Sequence, residues 1–200
     1  MDKTKILLAD DDPIIRMDIR EMLEERGYRV AGAARNGEEA VELAARLKPD
    51  LVLLDVKMPR MSGLKAARLI RRIYDPAIVL VTAYSERDTV REAGEADVSA
   101  YLVKPVSELN LFPAIEIALS QQSRIDGLKK ALASLERSAE ERRTVEKAKG
   151  LLMQAHALNE EEAYRFMRGA SMDSRLSLGK FAEAVLQERE ERMPDKAGNG

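Results

Sequence analysis

Five short apolar runs limit what this chain can fold into. They lie near residues 6, 29, 51, 78 and 100, and amphipathic segments at 14–26, 37–47, 63–74, 86–95 and 108–122 separate them. Strands that alternate with helices pair in parallel through right-handed crossovers. Buried parallel strands read as unbroken aliphatic runs. Ile6-Leu7-Leu8-Ala9, Leu51-Val52-Leu53-Leu54 and Ile78-Val79-Leu80-Val81 read that way. The spacing predicts an α/β domain with a parallel sheet over residues 1–120.

In such sheets ligands gather outside the carboxyl ends of the strands. Asp10, Asp11 and Asp12 follow the first run, Asp55 closes the third, Thr82 closes the fourth, and Lys104-Pro105 follows Tyr101-Leu102-Val103. Asp12 precedes Pro13 and a helical pattern, which suits a helix N-cap with proline at the first helical position. Asp10 and Asp11 are then adjacent and repel each other unless a cation offsets them. A hard cation with oxygen ligands, Mg2+, fits that need; the plainer alternative is an acidic loop in water. Asp55 could equally solvate a strand end, Thr82 suits any strand, and a lone lysine is usually solvated. Together, each at the end of its own strand, they suit reversible phosphorylation of an aspartate. Catalysis of that transfer is mostly positioning and charge stabilisation. Mg2+ held by Asp10, Asp11 and Asp55 would bind one phosphoryl oxygen, Lys104 a second, and the Thr82 hydroxyl a third.

Composition narrows the class. A formal charge of −2 gives no overall bias toward nucleic acid or membrane, and the absence of cysteine excludes disulfides and thiolate metal sites. No basic-then-apolar leader opens the chain, and no apolar stretch approaches the ~20 residues that span a bilayer. A cytoplasmic protein without a membrane segment is expected.

Residues 3–120 resemble the receiver domain of two-component response regulators. The carriers are Ile6 through Asp12, Asp55 with Met58-Pro59 and Ser62-Gly63, Thr82-Ala83, and Lys104-Pro105. The resemblance implies a flavodoxin-like (βα)5 fold, with Asp55 as phosphoacceptor for a sensor histidine kinase. It also implies that the Lys57 backbone carbonyl joins the Mg2+ ligands and that the Lys104-Pro105 bond is cis. Thr82 would be the switch hydroxyl and Tyr101 the aromatic that turns inward when it moves.

After residue 120 the strand pattern stops. Ile125, Leu128, Leu132, Leu135 and Ala139 step by three and four, which predicts a coiled-coil helix over 121–141. The stripe would be a parallel dimer seam, or would pack on its own chain. Arg142 interrupts it, and Val145, Ala148, Leu151 and Leu152 resume it. A small three-helix all-α domain is expected at 142–190. It has a loop at 156–159, a helix capped by Asn159, and a core face of Ala163, Phe166, Met167 and Ala170. Ser171–Ser177 reads as a polar connector, and a last helix from Leu178 should bury Phe181, Val185 and Leu186. Residues 191–200 read as a disordered tail, and His156, the only histidine, as a surface or capping residue.

Residues 138–187 resemble the ANTAR module of transcription antitermination regulators. The words that carry this are Ala148-Lys149-Gly150-Leu151-Leu152-Met153, Glu161-Glu162-Ala163-Tyr164, Arg168 through Met172, and Leu178 with Phe181-Ala182. The family often has a glycine near Leu158-Asn159, which this chain lacks. The resemblance implies RNA-hairpin binding by a homodimer that forms on phosphorylation, and so promotion of antitermination. Charge alone speaks less strongly, because residues 142–180 hold eight basic and five acidic residues. The basic candidates are Arg142, Arg143, Lys147 and Lys149 on one helix, then Arg168 and Arg175 beside the connector, with Tyr164 as an aromatic that could stack on a base. The alternative is an output that binds DNA or a protein, although Glu183, Glu188, Glu190 and Glu191 make the last helix a poor reader of a major groove. With no general base and no nucleophile beyond Asp55, turnover of a separate substrate is not expected.

Overall fold

The computed structural model describes residues 3–83 and 98–192, the last three of these by backbone alone. The helix expected at 86–95 lies outside the described residues, as does the tail from 193. The described chain forms two compact units, Met1–Gly127 and Leu128–Gly200.

In the first unit β1 (Lys5–Ala9), β2 (Arg29–Ala34), β3 (Leu51–Asp55), β4 (Ala77–Thr82) and β5 (Ala100–Val103) form one sheet, ordered β2-β1-β3-β4-β5. Every pairing is parallel. The helices are α1 (Pro13–Glu25), α2 (Gly37–Leu47), α3 (Gly63–Ile73) and the start of α4 (Glu108–His156). Side chains alternate across each strand, so the aliphatic runs feed two cores at once. Ile6, Leu8, Leu51, Leu53 and Val79 pack with Ile19 and Leu23 of α1 and Leu111 and Ile115 of α4. Leu7, Val52, Leu54, Ile78 and Leu80 pack against Ala40, Ala44, Ala66, Ala67 and Ile70 of α2 and α3. Alanines on those two helices let them sit close to the sheet. Each fully buried aliphatic side chain contributes about 1.5–3 kcal/mol, which explains why β3 and β4 hold no exposed residue.

Helix starts follow the local chemistry. The Asp12 carboxylate accepts from the amides of Ile14 and Ile15 with Pro13 in the first turn, Asn36 caps α2 and Ser62 caps α3.

The helix expected over 108–122 and the coiled-coil helix expected to follow it are one element, α4, which runs unbroken to His156. Beyond Pro113 it contains no proline, and Gly127 and Gly150 both face open space. In the second unit, Ala148 and Leu152 of α4 pack with Met167 of α5 (Glu160–Asp173) and Ala182 of α6 (Leu178–Arg192). Phe181, Val185 and Leu186 flank that core as half-buried residues. Gly179 is pressed against the Glu141 side chain, so a β-carbon there would collide with it. Asn159 and Glu162 form a reciprocal capping box at the start of α5.

Two expectations need correcting here. Phe166 is not on the core face but is 51% exposed, with its ring 6.3 Å from that of His156. The buried stripe of α5 runs through Ala163, Met167 and Ser171, and Phe166 falls to its side. The polar connector is also shorter than expected. Ser171 is buried inside α5 and donates its hydroxyl to the Arg168 carbonyl at 2.9 Å, so the helix continues to Asp173.

Candidate functional site

The carboxyl ends of the central strands bring the acidic residues together. Asp10 follows β1 and is buried, Asp55 ends β3 and is 5% exposed, and Asp11 is exposed beside them. Carboxylate oxygens of the three lie within 4.8 Å of one another. Asp12 points away from that set because its side chain is spent on capping α1. Lys104, just past β5, places its Nζ 2.8 Å from Asp10 Oδ2 and 3.3 Å from Asp55 Oδ1. The pairing of β4 with β5 brings it there, since the Lys104 amide donates to the Thr82 carbonyl at 2.7 Å. Thr82 itself is buried at the end of β4. The Lys104-Pro105 bond is cis. Tyr101 is 50% exposed on β5. Lys57 sits two residues past Asp55 with its side chain exposed.

The electrostatics follow from burial. Burial pushes the Asp55 carboxyl up to about 6, Lys104 opposes that rise, and Asp10 reinforces it. Burial alone would lower the Lys104 ammonium, but the Asp10 and Asp55 carboxylates outweigh it and hold it above its ordinary value. One lysine therefore meets two acids, with the Asp11 carboxylate beside them. Asp10 Oδ2 is buried and accepts no well-aligned hydrogen bond, so its contact with Lys104 is an ion pair rather than a satisfied acceptor. A buried carboxylate oxygen with spare acceptor capacity beside two other carboxylates is a hard-cation ligand set. A carboxylate nucleophile next to an ammonium and a cation can accept a phosphoryl group.

Two neighbours were not legible as site residues. Arg16, one turn into α1, donates from Nη1 to the Asp10 carbonyl. Gly63 donates its amide to the Val56 carbonyl at 3.0 Å and lies directly against the Asp55 carbonyl. A basic residue one turn past the Asp12 cap was the available signal for Arg16, and the Ser62-Gly63 pair for Gly63.

In the second unit the basic candidates separate. Arg142, Arg143, Lys147, Arg168 and Arg175 are exposed, with Arg143 3.7 Å from Glu140. Lys149 is 8% exposed, and its ammonium lies 2.7 Å from both Glu146 and Glu160. It tethers the start of α5 to α4 instead of joining an exposed basic face, because position 149 follows Ala148 on the inward side of α4. Tyr164 is 44% exposed rather than core.

Residues 6–116 match the response regulator receiver domain, and residues 133–186 match the ANTAR domain. Transcriptional regulatory protein PdtaR of Mycobacterium tuberculosis is 46% identical over 183 residues, which cover 92% of this chain and 89% of that protein. The chemotaxis protein CheY of Thermotoga maritima is 37% identical over 113 residues, 56% of this chain and 93% of that one. Among solved structures, a CheY-like receiver domain protein from Methanospirillum hungatei superposes with a TM-score of 0.58 at 27% identity, covering 62% of this chain and 98% of that chain. No helix among the described residues is long and apolar enough to cross a membrane. The first unit thus has the flavodoxin-like receiver fold, its acidic pocket is the one at which receiver domains bind Mg2+, and the chain belongs to the two-component response regulators with an RNA-binding ANTAR output domain.

Proposed function

We propose that this protein is a phosphorylation-controlled antiterminator. The observation that carries the reading is the position of Lys104 Nζ, within 3.3 Å of both Asp10 and Asp55 at one sheet edge. An Asp55 oxygen attacks the phosphorus of a phosphohistidine on a sensor kinase; the P–N bond breaks, the imidazole leaves with the electron pair, and an acyl phosphate forms. Asp10, Asp11, Asp55 and the Lys57 carbonyl hold Mg2+, which when bound offsets the negative charge gathered on the phosphoryl group. Lys104 balances a second phosphoryl oxygen. Thr82 donates its hydroxyl to a third, and Tyr101 follows it inward.

The new group adds about −1.5 to −2 charges, enough to bias a pairing equilibrium. The exposed stripe of α4 supports pairing of two chains, since Leu128, Leu132 and Leu135 are 71%, 58% and 69% exposed. The paired ANTAR domains bind RNA hairpin loops in the cytoplasm, stabilise an antiterminator and let transcription continue. Arg142, Arg143, Lys147, Arg168 and Arg175 are the candidate RNA contacts.

Light scattering and RNA titration with and without acetyl phosphate and Mg2+ test this reading. The wild type should double in mass and gain RNA affinity, and Asp55→Ala should do neither. Unchanged mass and affinity in the wild type would defeat the proposal, and preferential binding of duplex DNA over hairpin RNA would redirect it to a DNA output.

A further inference from the structure

The loop after β3, residues 56–62, carries the Lys57 carbonyl and rests against the start of α2. The Gly37 amide donates to the Met61 carbonyl at 3.2 Å. A β-carbon on Gly37 would stand 2.5 Å from that oxygen and 2.9 Å from the Met61 β-carbon, both inside contact distance. Gly37 is buried and is the first residue of α2. One residue on, Glu38 lies 3.9 Å from Arg60, an exposed pair that adds little by itself. The loop comes this close because residue 37 has no side chain.

The same segment holds the other side of the site. The Asp10 amide donates to the carbonyl of Ala34, the last residue of β2, at 3.2 Å. From Ala34 to Gly37 the chain is fixed by its own hydrogen bonds. The Asn36 side chain accepts from the Glu39 amide at 2.9 Å, and the Glu39 carboxylate accepts from the Arg35 amide at 3.0 Å. Asn36 is itself buried. Residues 34–37 thus form a short strut, with Asp10 bonded to one end and the loop of Lys57 bonded to the other.

We propose that Gly37 is a positioning residue for the metal site. By admitting the Met61 carbonyl it sets the reach from the Asp10 and Asp11 carboxylates to the Lys57 carbonyl, and so the affinity for Mg2+. The inference rests on the Mg2+ reading above and adds the residue that spaces its ligands. Mg2+ tolerates little departure from octahedral geometry, so a displaced carbonyl is exchanged for water. Residues that only orient a metal's ligands change its affinity by about 10–100-fold when altered. An added β-carbon on Gly37 has to push the loop away, because the nearest atom it meets belongs to the backbone. Gly32 on β2 offers the contrast. A β-carbon there would meet Leu47 Cδ1 at 2.9 Å, the tip of a side chain that can turn aside.

The test uses the full chain, stripped of divalent cations and titrated with Mg2+ alone by calorimetry. Gly37→Ala should weaken Mg2+ binding by about tenfold or more. Gly32→Ala crowds the layer between β2 and α2 away from the loop and should bind Mg2+ as the wild type does. In acetyl-phosphate labelling, Gly37→Ala should raise the Mg2+ concentration for half-maximal rate by the same factor and keep the rate at saturating Mg2+. In the wild type, Mg2+ should slow exchange of the Gly37 amide more than that of the Tyr74 amide, which bonds Ile70 at the far end of α3. That measurement decides the matter if Gly37→Ala does not fold. Unchanged Mg2+ affinity in Gly37→Ala, equal weakening in Gly32→Ala, or equal protection of the two amides would overturn the role of Gly37 and leave the metal reading in place. A wild type that binds no Mg2+ would overturn both.

Discussion

Gly63 lies so close to Asp55 that a β-carbon on it would run into the Asp55 backbone carbonyl, well inside contact distance. The glycine opens α3, and its amide closes the loop after β3 by donating to Val56 at 3.0 Å. The absence of a side chain at residue 63 therefore sets how near α3 can come to the strand that ends in Asp55. Gly63→Ala should destabilise the receiver domain by roughly 2–3 kcal/mol, the scale of overpacking against fixed backbone. It should also slow phosphorylation of Asp55. Urea denaturation and acetyl-phosphate labelling measure the two effects; an alanine variant of wild-type stability would show that the loop can shift freely.

Asp55 is costly to keep charged without a cation. Its carboxyl sits near 6 in the folded chain against an ordinary 3.8, because burial outweighs the attraction of Lys104. Between those values the folded state binds more protons than the unfolded one, so folding weakens as pH rises from about 4 to about 6 and stays at the lower level above that. In EDTA, Asp55→Asn should be more stable than the wild type by about 1–2 kcal/mol at pH 7, a figure reduced from the full conversion because solvent reaches part of the site. The gain should vanish below about pH 4. Chemical denaturation across pH reads it, and a gain independent of pH would rule out Asp55 ionisation as the cause.

The Lys149 ammonium joins Glu146 on α4 to Glu160 at the start of α5. Hydrogen bonds that the ammonium donates to both acids hold the lysine above its ordinary value, and the one it donates to Glu160 holds that carboxyl below its own. A lowered acid stabilises the fold above its unfolded value and loses that contribution as pH falls through its folded one. Lys149→Ala should lower the melting temperature of the C-terminal unit and leave the receiver unchanged. Amide exchange in the first turn of α5 should quicken in the variant at neutral pH, and in the wild type only when the medium is acidified below the ordinary carboxylate range. Equal exchange in both proteins at neutral pH would show that the tether is idle.

Ala157 occupies the left-handed region at φ 52° in the turn between α4 and α5. This is the position at which the sequence lacks the glycine expected near Leu158. The turn forms regardless, closed by the Leu158 amide on the Met153 carbonyl at 3.2 Å, and the β-carbon bears the strain. Ala157→Gly should therefore stabilise the C-terminal unit by about 1 kcal/mol, the left-handed penalty for a side chain. Thermal melting reads the gain, and a lower melting temperature would mean that the extra freedom of the unfolded glycine chain dominates.

The receiver site was legible because its chemistry is local to strand ends. Aliphatic runs specify buried parallel strands, and the residue after each run must stand at the sheet edge. Asp10, Asp55, Thr82 and Lys104 could therefore be named before their distances were known, as could the caps Asp12 and Asn159, which act within one helical turn. What only the tertiary structure decided is which face of each C-terminal helix meets another helix. Lys149 and Lys147 look alike in a list of cations, yet one is enclosed between two acids and the other is exposed. Phe166 and Met167 are adjacent apolar residues, and only Met167 enters the core. A helix turns by about 100° per residue, so a small change in where its neighbour packs exchanges buried for exposed positions. Periodicity alone leaves that phase open until the partner helix is in place.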